Sequence, residues 1–275
     1  MKIGICYDPR LGKNIESFLN FASQWGFEYV LLKLDNPDLL GYLIKPPNPK
    51  FKKMLFEHDL KYIIHAPEID VNPGSLNIFA RHAARDILIK TVDIATEFMV
   101  KYVVISSSGL PYVYSPLERD KALANFVLTV RKAKEHADIH DVQFLIKNEG
   151  KSQNTPILDS PDTLRYVAES LGVGIAFDAG NANSFGNSEQ FVPKLGKHIK
   201  LVLLHDNKGG VNDYLPIGAG DLILERILYQ LEDIGYDGPL IIENFDENEA
   251  RVSKEVLDTA LKEMAEKSKP KGSKK

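Results

Sequence analysis

The stretch Gln143-Phe-Leu-Ile-Lys-Asn-Glu-Gly150 is apolar at first and turns polar at a charged residue, Lys147. The same pattern recurs at Ile175-Ala-Phe-Asp178 and at Leu240-Ile-Ile-Glu243. Continuous rather than alternating apolar runs are typical of strands that are covered on both faces, as in parallel sheets. Each stretch therefore predicts a buried strand that ends in one charged side chain.

Eight such runs, rich in Ile, Val and Leu, can be marked along the chain. They are Lys2 to Cys6, Tyr29 to Leu34, Tyr62 to His65, Tyr102 to Ser106, Val142 to Lys147, Val173 to Asp178, Ile199 to His205 and Pro239 to Glu243. A stretch with helical signals follows each run. Eight strand-then-helix units predict an α/β protein, a single (β/α)8 TIM barrel.

Helix-capping patterns support this organisation. Ser115-Pro-Leu-Glu118 is a capping box, and Ser160, Asn14 and Asp221 are expected to cap three further helices. The longest helix is expected from about Ser75 to Phe98, with an apolar stripe at three- and four-residue spacing. The members of that stripe are Leu76, Phe79, Ala83, Ile87, Ile94 and Phe98.

A doubly wound open sheet is the structural alternative. It would place a glycine-rich phosphate-binding loop after the first strand, where this chain has Asp8-Pro-Arg-Leu-Gly12 instead. No linker interrupts residues 1–266, which we expect to form one barrel domain with a Pro-rich loop at Lys45-Pro-Pro-Asn-Pro49. Residues 267–275 are basic and lack large apolar side chains, and we expect them to form a disordered tail.

The composition limits the function classes. The net charge is −4, which gives no basic footprint for nucleic acid. The single cysteine, Cys6, lies in an apolar run and is expected to be a buried thiol. No apolar run approaches the ~18 residues of a membrane span, and no signal peptide is evident, so a cytoplasmic protein is expected. The oligomeric state is not indicated.

The strand ends carry ionisable and polar residues, and in such barrels the carboxyl ends of the strands line the active site. These residues are Asp8, His65, Ser106, Lys147, Asp178, His205, Asp206 and Glu243. A lone residue of this kind often caps a helix or binds a loop amide. Several at one end of a barrel favour a ligand site.

Five segments carry a family resemblance through their order and spacing. They are His65-Ala-Pro67, Asp178-Ala-Gly-Asn181, His205-Asp-Asn-Lys-Gly-Gly210, Leu215-Pro-Ile-Gly-Ala-Gly220 and Ile242-Glu-Asn244. Together they resemble the xylose-isomerase-like barrel superfamily, which contains sugar isomerases, sugar epimerases and the endonuclease IV group. The resemblance covers the chain up to its tail and implies one to three divalent metal ions.

The resemblance also implies metal ligands, and this chain departs from them. The isomerase and epimerase branch uses Glu, Asp, His and Glu from strands five to eight, where this chain has Lys147, Asp178, Leu203 and Glu243. For the endonuclease branch His65 is retained, but four further ligand positions hold Ser106, Asn181, Asn212 and Tyr214.

Two interpretations of Lys147 follow. In the first, its ammonium replaces the metal and lies between Asp178 and Glu243, which favour its charged form. In the second, the metal site has moved roughly 6–7 Å along the strands, to Glu149 and His205. Asp178 and Glu243 have no counterparts there, so the first interpretation is favoured and no cofactor is expected. The alternative is a divalent ion (Mn, Mg, Co or Zn) on the remnant ligands Asp178, Glu243 and His65.

The favoured function is a sugar or sugar-phosphate isomerase or epimerase that moves a proton between carbons next to a carbonyl. Glu243 would be the base and Lys147 would stabilise the enolate oxygen, with Asp178 as the third catalytic group. The expected substrate-binding residues are His65, Ser106, Glu149, Asn181, His205 and Asp206.

Two alternatives stay open. One is a non-catalytic sugar-binding barrel that has lost its metal. The other is a metal-dependent phosphodiesterase resembling endonuclease IV, against which the missing ligands and the lack of clustered Lys and Arg count.

Overall fold

Eight parallel strands close into a barrel and follow one another around it in chain order. The structure, a computed structural model, describes residues 1–11, 13–111, 115–211 and 213–267. The strands are β1 (Lys2–Tyr7), β2 (Tyr29–Lys33), β3 (Lys61–His65), β4 (Tyr102–Ile105), β5 (Gln143–Lys147), β6 (Gly174–Asp178), β7 (Ile199–Leu204) and β8 (Pro239–Ile242). The predicted (β/α)8 barrel is confirmed, with every strand end within one residue of its expected position.

Helices surround the barrel. They are α1 (Ile15–Gln24), α2 (Pro37–Leu40), α3 (Pro49–Phe56), α4 (Ile78–Glu97), α5 (Pro116–Ile139), α6 (Pro161–Leu171), α7 (Ala179–Asn183), α8 (Phe191–Leu195), α9 (Leu224–Asp233) and α10 (Glu247–Lys267). Among the described residues, none of these helices is long and apolar enough to cross a membrane. The expected tail from residue 268 onward lies outside the described residues.

Most of the predicted caps are confirmed. Asn14 and Ser160 cap α1 and α6 through their side chains, and the capping box of Ser115 begins α5. The cap expected at Asp221 is wrong, because α9 begins three residues later and Ile223 precedes it. The amide of Asp221 donates to the carbonyl of Asn207 instead, which fixes the loop after β7.

The apolar stripe predicted for α4 is displaced by one position in its first half, whereas Ile94 and Phe98 are buried as predicted. The buried face consists of Ala84, Leu88, Val92 and Ala95, together with Ile94 and Thr91. Phe79, by contrast, is 79% exposed. Apolar residues occupy both of the adjacent positions 87 and 88, so the sequence spacing alone does not decide which one faces the barrel.

The barrel interior begins with an apolar ring to which every strand contributes. Its members are Cys6, Leu31, Ile63, Val104, Leu145, Ala176, Leu203 and Ile241, and Leu201 packs with them. Cys6 is a buried free thiol, as predicted. The larger apolar core lies outside the strands, against the helices. The apolar ring forms the floor on which the site described below is built.

We expect Gly4→Ala to destabilise the barrel. A Cβ atom at position 4 would lie 2.5 Å from Cδ1 of Ile241 and 2.7 Å from the backbone oxygen of Tyr29. Overpacking of this kind costs about 1–3 kcal/mol in the free energy of unfolding, which urea titration measures. Gly41→Ala is the matched control, since nothing lies within 4 Å of its added Cβ and its φ is −60°. Equal stability of the two variants would contradict this account of the interior.

Candidate active site

A second ring of side chains lies directly above the apolar ring and is entirely polar. Residues two apart on a strand point to the same side, so each member follows an apolar-ring residue by two positions. The members are Asp8, Lys33, His65, Ser106, Lys147, Asp178, His205 and Glu243, and all eight are buried. We call this set the polar ring. It lies at the carboxyl ends of the strands, where barrel enzymes place their chemistry.

The membership of the polar ring corrects the alignment that put Leu203 at the position of the family's strand-seven histidine. Strands in a closed barrel are staggered, so residues at one level are not register partners. Asp178 is the register partner of Leu203, but its Oδ1 lies 3.3 Å from Nε2 of His205. Leu203 belongs to the apolar ring instead. The proposed shift of His205 away from Asp178 is therefore wrong, because the stagger brings the two side chains together.

Lys33 is the residue that sequence reasoning missed. Its Nζ lies 3.1 Å from Oδ2 of Asp8, 3.3 Å from Oε1 of Glu243 and 3.7 Å from Oε1 of Glu68. Burial alone would lower its pKa, but the surrounding carboxylates, Glu243 first, raise the pKa above the usual value. Lys33 is therefore an ammonium ion shared by carboxylates from three parts of the chain.

Lys147 pairs with a different partner from the one expected. Its Nζ lies 3.1 Å from Oε2 of Glu68, which also accepts a hydrogen bond from Oγ of Ser106. The expected position between Asp178 and Glu243 is not the one observed. Burial opposes the charge of Lys147, but the nearby acidic groups, Glu68 first, together raise its pKa above the usual value. Lys147 in turn holds the pKa of Glu68 well below its usual value, against the effect of burial.

Charges in the site nearly balance. Asp8, Glu68, Asp178 and Glu243 supply four carboxylates, and Lys33 and Lys147 supply two ammonium groups. Arg10 adds a third cation, with Nε 2.6 Å from Oδ1 of Asp8. One net negative charge remains. Buried charges are tolerated only when they are paired in this way, since removing a partner leaves an uncompensated ion.

His65 faces the site as a neutral imidazole. Its Nδ1 donates to the carbonyl of Ala66 over 2.7 Å, which leaves Nε2 as an acceptor 3.7 Å from Oε2 of Glu68. Burial, assisted by Lys147, lowers the pKa of His65 to about 4. At neutral pH the ring can accept a hydrogen bond from a ligand hydroxyl through Nε2.

Asp178, His205 and Glu243 form a tight cluster on three adjacent strands. One ligand atom from each lies within 4.8 Å of the others. Among the described residues, Oδ2 of Asp178 and both carboxylate oxygens of Glu243 are buried without a hydrogen-bond partner. Two carboxylates and an imidazole with unpartnered buried oxygens fit a divalent ion. The predicted remnant ligand His65 is not part of this cluster.

The environment of His205 is closely packed. A Cβ at position 180 would lie 2.3 Å from the His205 ring, so only glycine fits there. Tyr214 stacks on the other side, with ring centroids 4.1 Å apart. Burial lowers the pKa of His205, but the nearby acceptors, Asp178 first and then Glu243, together raise it, and the net shift is upward. This packing fixes the direction in which His205 faces.

Two expected substrate-binding residues hold loops. The oxygens of Asp206 accept hydrogen bonds from the amides of Asn207, Gly218 and Leu222. The carboxylate of Glu149 accepts hydrogen bonds from the amides of Gly109 and Ile157 and from Oγ of Ser107. The carboxylates of Asp206 and Glu149 therefore fix loops, and Glu149 also lines the cleft described next. Their contact with substrate stays a prediction. Nothing in the local sequence indicated these loop contacts.

A cleft of about 260 Å³ opens above the polar ring. Ser106, Glu149, Asn181 and His205, four of the expected binding residues, line it together with Lys147 and Glu68. The amide of Asn181 is held by Oδ1 of Asp178, and its Nδ2 donates to the carbonyl of Asn148. Tyr112, Tyr114 and Asn212 lie outside the described residues.

The fold and the site agree with comparisons to known proteins. The family model for xylose isomerase-like TIM barrels matches residues 19–265. The chain therefore belongs to the xylose isomerase-like TIM barrel family, and its fold is that of sugar isomerases and epimerases.

Three relatives illustrate the likeness. An uncharacterized protein of Methanocaldococcus jannaschii is 30% identical over 273 residues, which are 97% of this chain and 92% of that protein. The crystal structure of a D-tagatose 3-epimerase-like protein has a TM-score of 0.85 and 28% identity, over 97% of this chain and 99% of the other. The IolI protein with a bound zinc atom has a TM-score of 0.81 and 16% identity, over 96% and 99% of the two chains.

We predict that His65 makes the protein sensitive to mild acid. The pKa of His65 is about 4 in the folded chain against 6.5 for a free histidine. Below pH 6.5 the unfolded chain takes up a proton that the folded chain refuses, so stability falls as the pH drops toward 4. The loss should be about 3 kcal/mol in the free energy of unfolding.

His65→Gln should remove that part of the pH dependence, as measured by urea unfolding at pH 7 and pH 4. The matched control His82→Gln changes an exposed histidine and should keep the wild-type slope. A His65→Gln variant that retains the wild-type slope would show that His65 is charged in the folded protein.

Proposed function

We propose that this protein is an isomerase or epimerase of sugars or sugar phosphates that moves a proton at a carbon next to a carbonyl. One observation carries the proposal: the buried carboxylate of Glu243 has no hydrogen-bond partner among the described residues and lies beside an ammonium ion, Lys33. A base next to a fixed positive charge suits the removal of a carbon-bound proton.

Glu243 acts as the base in this proposal. Its carboxylate takes the proton from the carbon next to the carbonyl, the electron pair of that bond forms a carbon–carbon double bond, and the π pair of the carbonyl moves onto its oxygen. The hydroxyl proton of the first carbon then passes to that oxygen, and Glu243 returns its own proton to the former carbonyl carbon, which gives the isomer. Its position two residues above Ile241 keeps the carboxylate away from bulk water, which strengthens every charge interaction in the site.

Lys147 stabilises the negative oxygen that develops during this step. It stands at the end of the fifth strand, where the isomerases and epimerases of the family have a glutamate ligand, and it lines the cleft. Because Glu68 holds it in the charged form, it acts as a preorganised cation and not as a nucleophile. Lys33, in the same polar ring, adds a second ammonium beside Glu243.

Substrate hydroxyls are bound by the polar lining of the cleft. Glu68, kept ionised by Lys147, accepts a hydrogen bond from a hydroxyl. Ser106, Asn181 and His205, which line the same cleft, offer both donors and acceptors. This set matches a ligand with several adjacent hydroxyl groups. His65 is not among the lining residues, and its Nε2 lies buried 3.7 Å from Glu68. Glu149 also lines the cleft, with its carboxylate already bonded to two loop amides, whereas Asp206 is not among the lining residues.

A divalent ion fits the same site in this proposal. Asp178, His205 and Glu243 would hold it, and it would polarise oxygen atoms of the substrate. Lys147 stands where a fourth ligand would be, so such a site would have three protein ligands. The zinc atom in the IolI structure supports this part of the proposal, as does the donor set of this chain.

A non-catalytic sugar-binding barrel is the second candidate. The presence of Lys147 at the end of β5 favours it, because the second carboxylate that a two-base epimerisation would use is absent from that strand end. Both candidates use the same cleft, and they differ in whether a carbon-bound proton exchanges with solvent.

We predict that Glu243→Gln abolishes solvent exchange. In D2O, the wild-type protein should incorporate deuterium into one or more ketoses, aldoses or their phosphates, as followed by proton NMR. Loss of a general base typically costs 10²–10⁴-fold in rate, so exchange should fall by at least about 10²-fold. Glu57→Gln, which changes an exposed surface glutamate, should leave the rate unchanged.

The outcomes separate the candidates. Undiminished exchange in Glu243→Gln would remove Glu243 as the base. Absence of exchange with every sugar in wild-type protein, combined with a sugar that raises the melting temperature, would establish the binding-only function.

Lys147→Met should weaken both binding and exchange, since it removes the cation in the cleft.

A further inference from the structure

We propose a second metal site, for a divalent transition metal, on the outer surface of the barrel. Its ligands are Asp93 on α4 and His136 and His140 at the end of α5. Nε2 of His136 lies 2.8 Å from Oδ1 of Asp93, and the centroids of the two imidazole rings are 4.5 Å apart. One ligand atom from each of the three residues lies within 4.8 Å of the others.

The ligand chemistry suits zinc, nickel or copper. Histidines four residues apart on a helix lie on one face, and two imidazoles with a carboxylate form a common donor set for these metals. Asp93 and His136 are partly buried and His140 is exposed. The site is therefore open to solvent on one side, where water would complete the coordination.

The electrostatic field at the C-terminal end of α5 also favours a cation. α5 ends at Ile139, with His140 as its C-terminal cap, so both histidines lie in the last turn. The carbonyl groups at the end of a helix carry a partial negative charge that stabilises positive ions. One group opposes the metal: Nζ of Lys90 lies 3.3 Å from Oδ2 of Asp93. Lys90 is exposed and contacts the oxygen that does not face His136.

This cluster is separate from the polar ring. His140 lies three residues before β5 begins, and is therefore near the amino ends of the strands, opposite the cleft. Asp93 and His140 also border a second cleft of about 240 Å³ that includes Pro46 and Pro47. A metal there would link α4 to α5 and would leave the catalytic groups untouched.

The test measures metal binding after the ligands in the barrel have been removed. The full chain carrying Asp178→Asn and Glu243→Gln serves as the background, and its affinity for Zn²⁺ is measured by competition with a chromophoric chelator. We expect one equivalent to bind. Adding His140→Ala should weaken this binding by about tenfold or more, the scale on which metal-site substitutions act. His82→Ala, which changes another exposed histidine, should leave it unchanged.

A second measurement identifies the ligands. Cu²⁺ bound to the background variant should show nitrogen splitting from two imidazoles in its electron paramagnetic resonance spectrum, and His140→Ala should reduce this to one. No zinc binding in the background, or equal effects of His140→Ala and His82→Ala, would overturn the proposal. If the background variant does not fold, the same pair of histidine variants is compared in the wild-type chain. There, His140→Ala should lose one equivalent of zinc, and retention of every equivalent would overturn the proposal.

Discussion

The rest of the site depends on the ion pairs that the ammonium of Lys33 makes. It lies on β2 and contacts Asp8 from β1, Glu243 at the end of β8 and Glu68 from the loop after β3. β1 pairs with both β2 and β8, so this ammonium bridges the point where the barrel closes. A buried charge requires such partners, and the same contacts hold the first and last strands at a fixed register.

The polar ring contributes both to the stability of the fold and to the chemistry of the site. The apolar ring below excludes water from its charges, and ammonium groups contact the carboxylates of Asp8, Glu68 and Glu243. This arrangement keeps the groups fixed before a substrate arrives, and preorganised charges are the largest contributors to catalysis in many enzymes. It also means that a substitution in the site affects folding as well as function, so both must be measured in the same variant.

The fold could be predicted from the sequence because its signals are local. Continuous apolar runs marked the strands, and caps such as Ser115 and Ser160 marked helix starts. The first half of the stripe on α4 was misplaced by one position because two adjacent positions are apolar. The cap at Asp221 was misplaced because its amide and loop are fixed by a distant residue, Asn207.

The site could be predicted only in part. Lys147, Asp178, His205 and Glu243 were found because each follows an apolar run, and the structure places all four in the polar ring. Lys33 was missed because it lies inside an apolar run that was read as ending at Leu34. Its spacing of two residues from Leu31 was the available signal. The stagger of the strands and the inward turn of Glu68 are consequences of tertiary structure and have no local signature.

The central claim is that Lys33 and Glu243 are directly coupled in the folded protein. A double-mutant cycle tests it most directly, with the free energy of unfolding measured for wild type, Lys33→Met, Glu243→Gln and the double variant. Residues in one buried ion network should show an interaction energy of about 0.5–3 kcal/mol, with the double variant less destabilised than the sum of the single variants. Additive effects, within about 0.3–0.5 kcal/mol, would contradict the account.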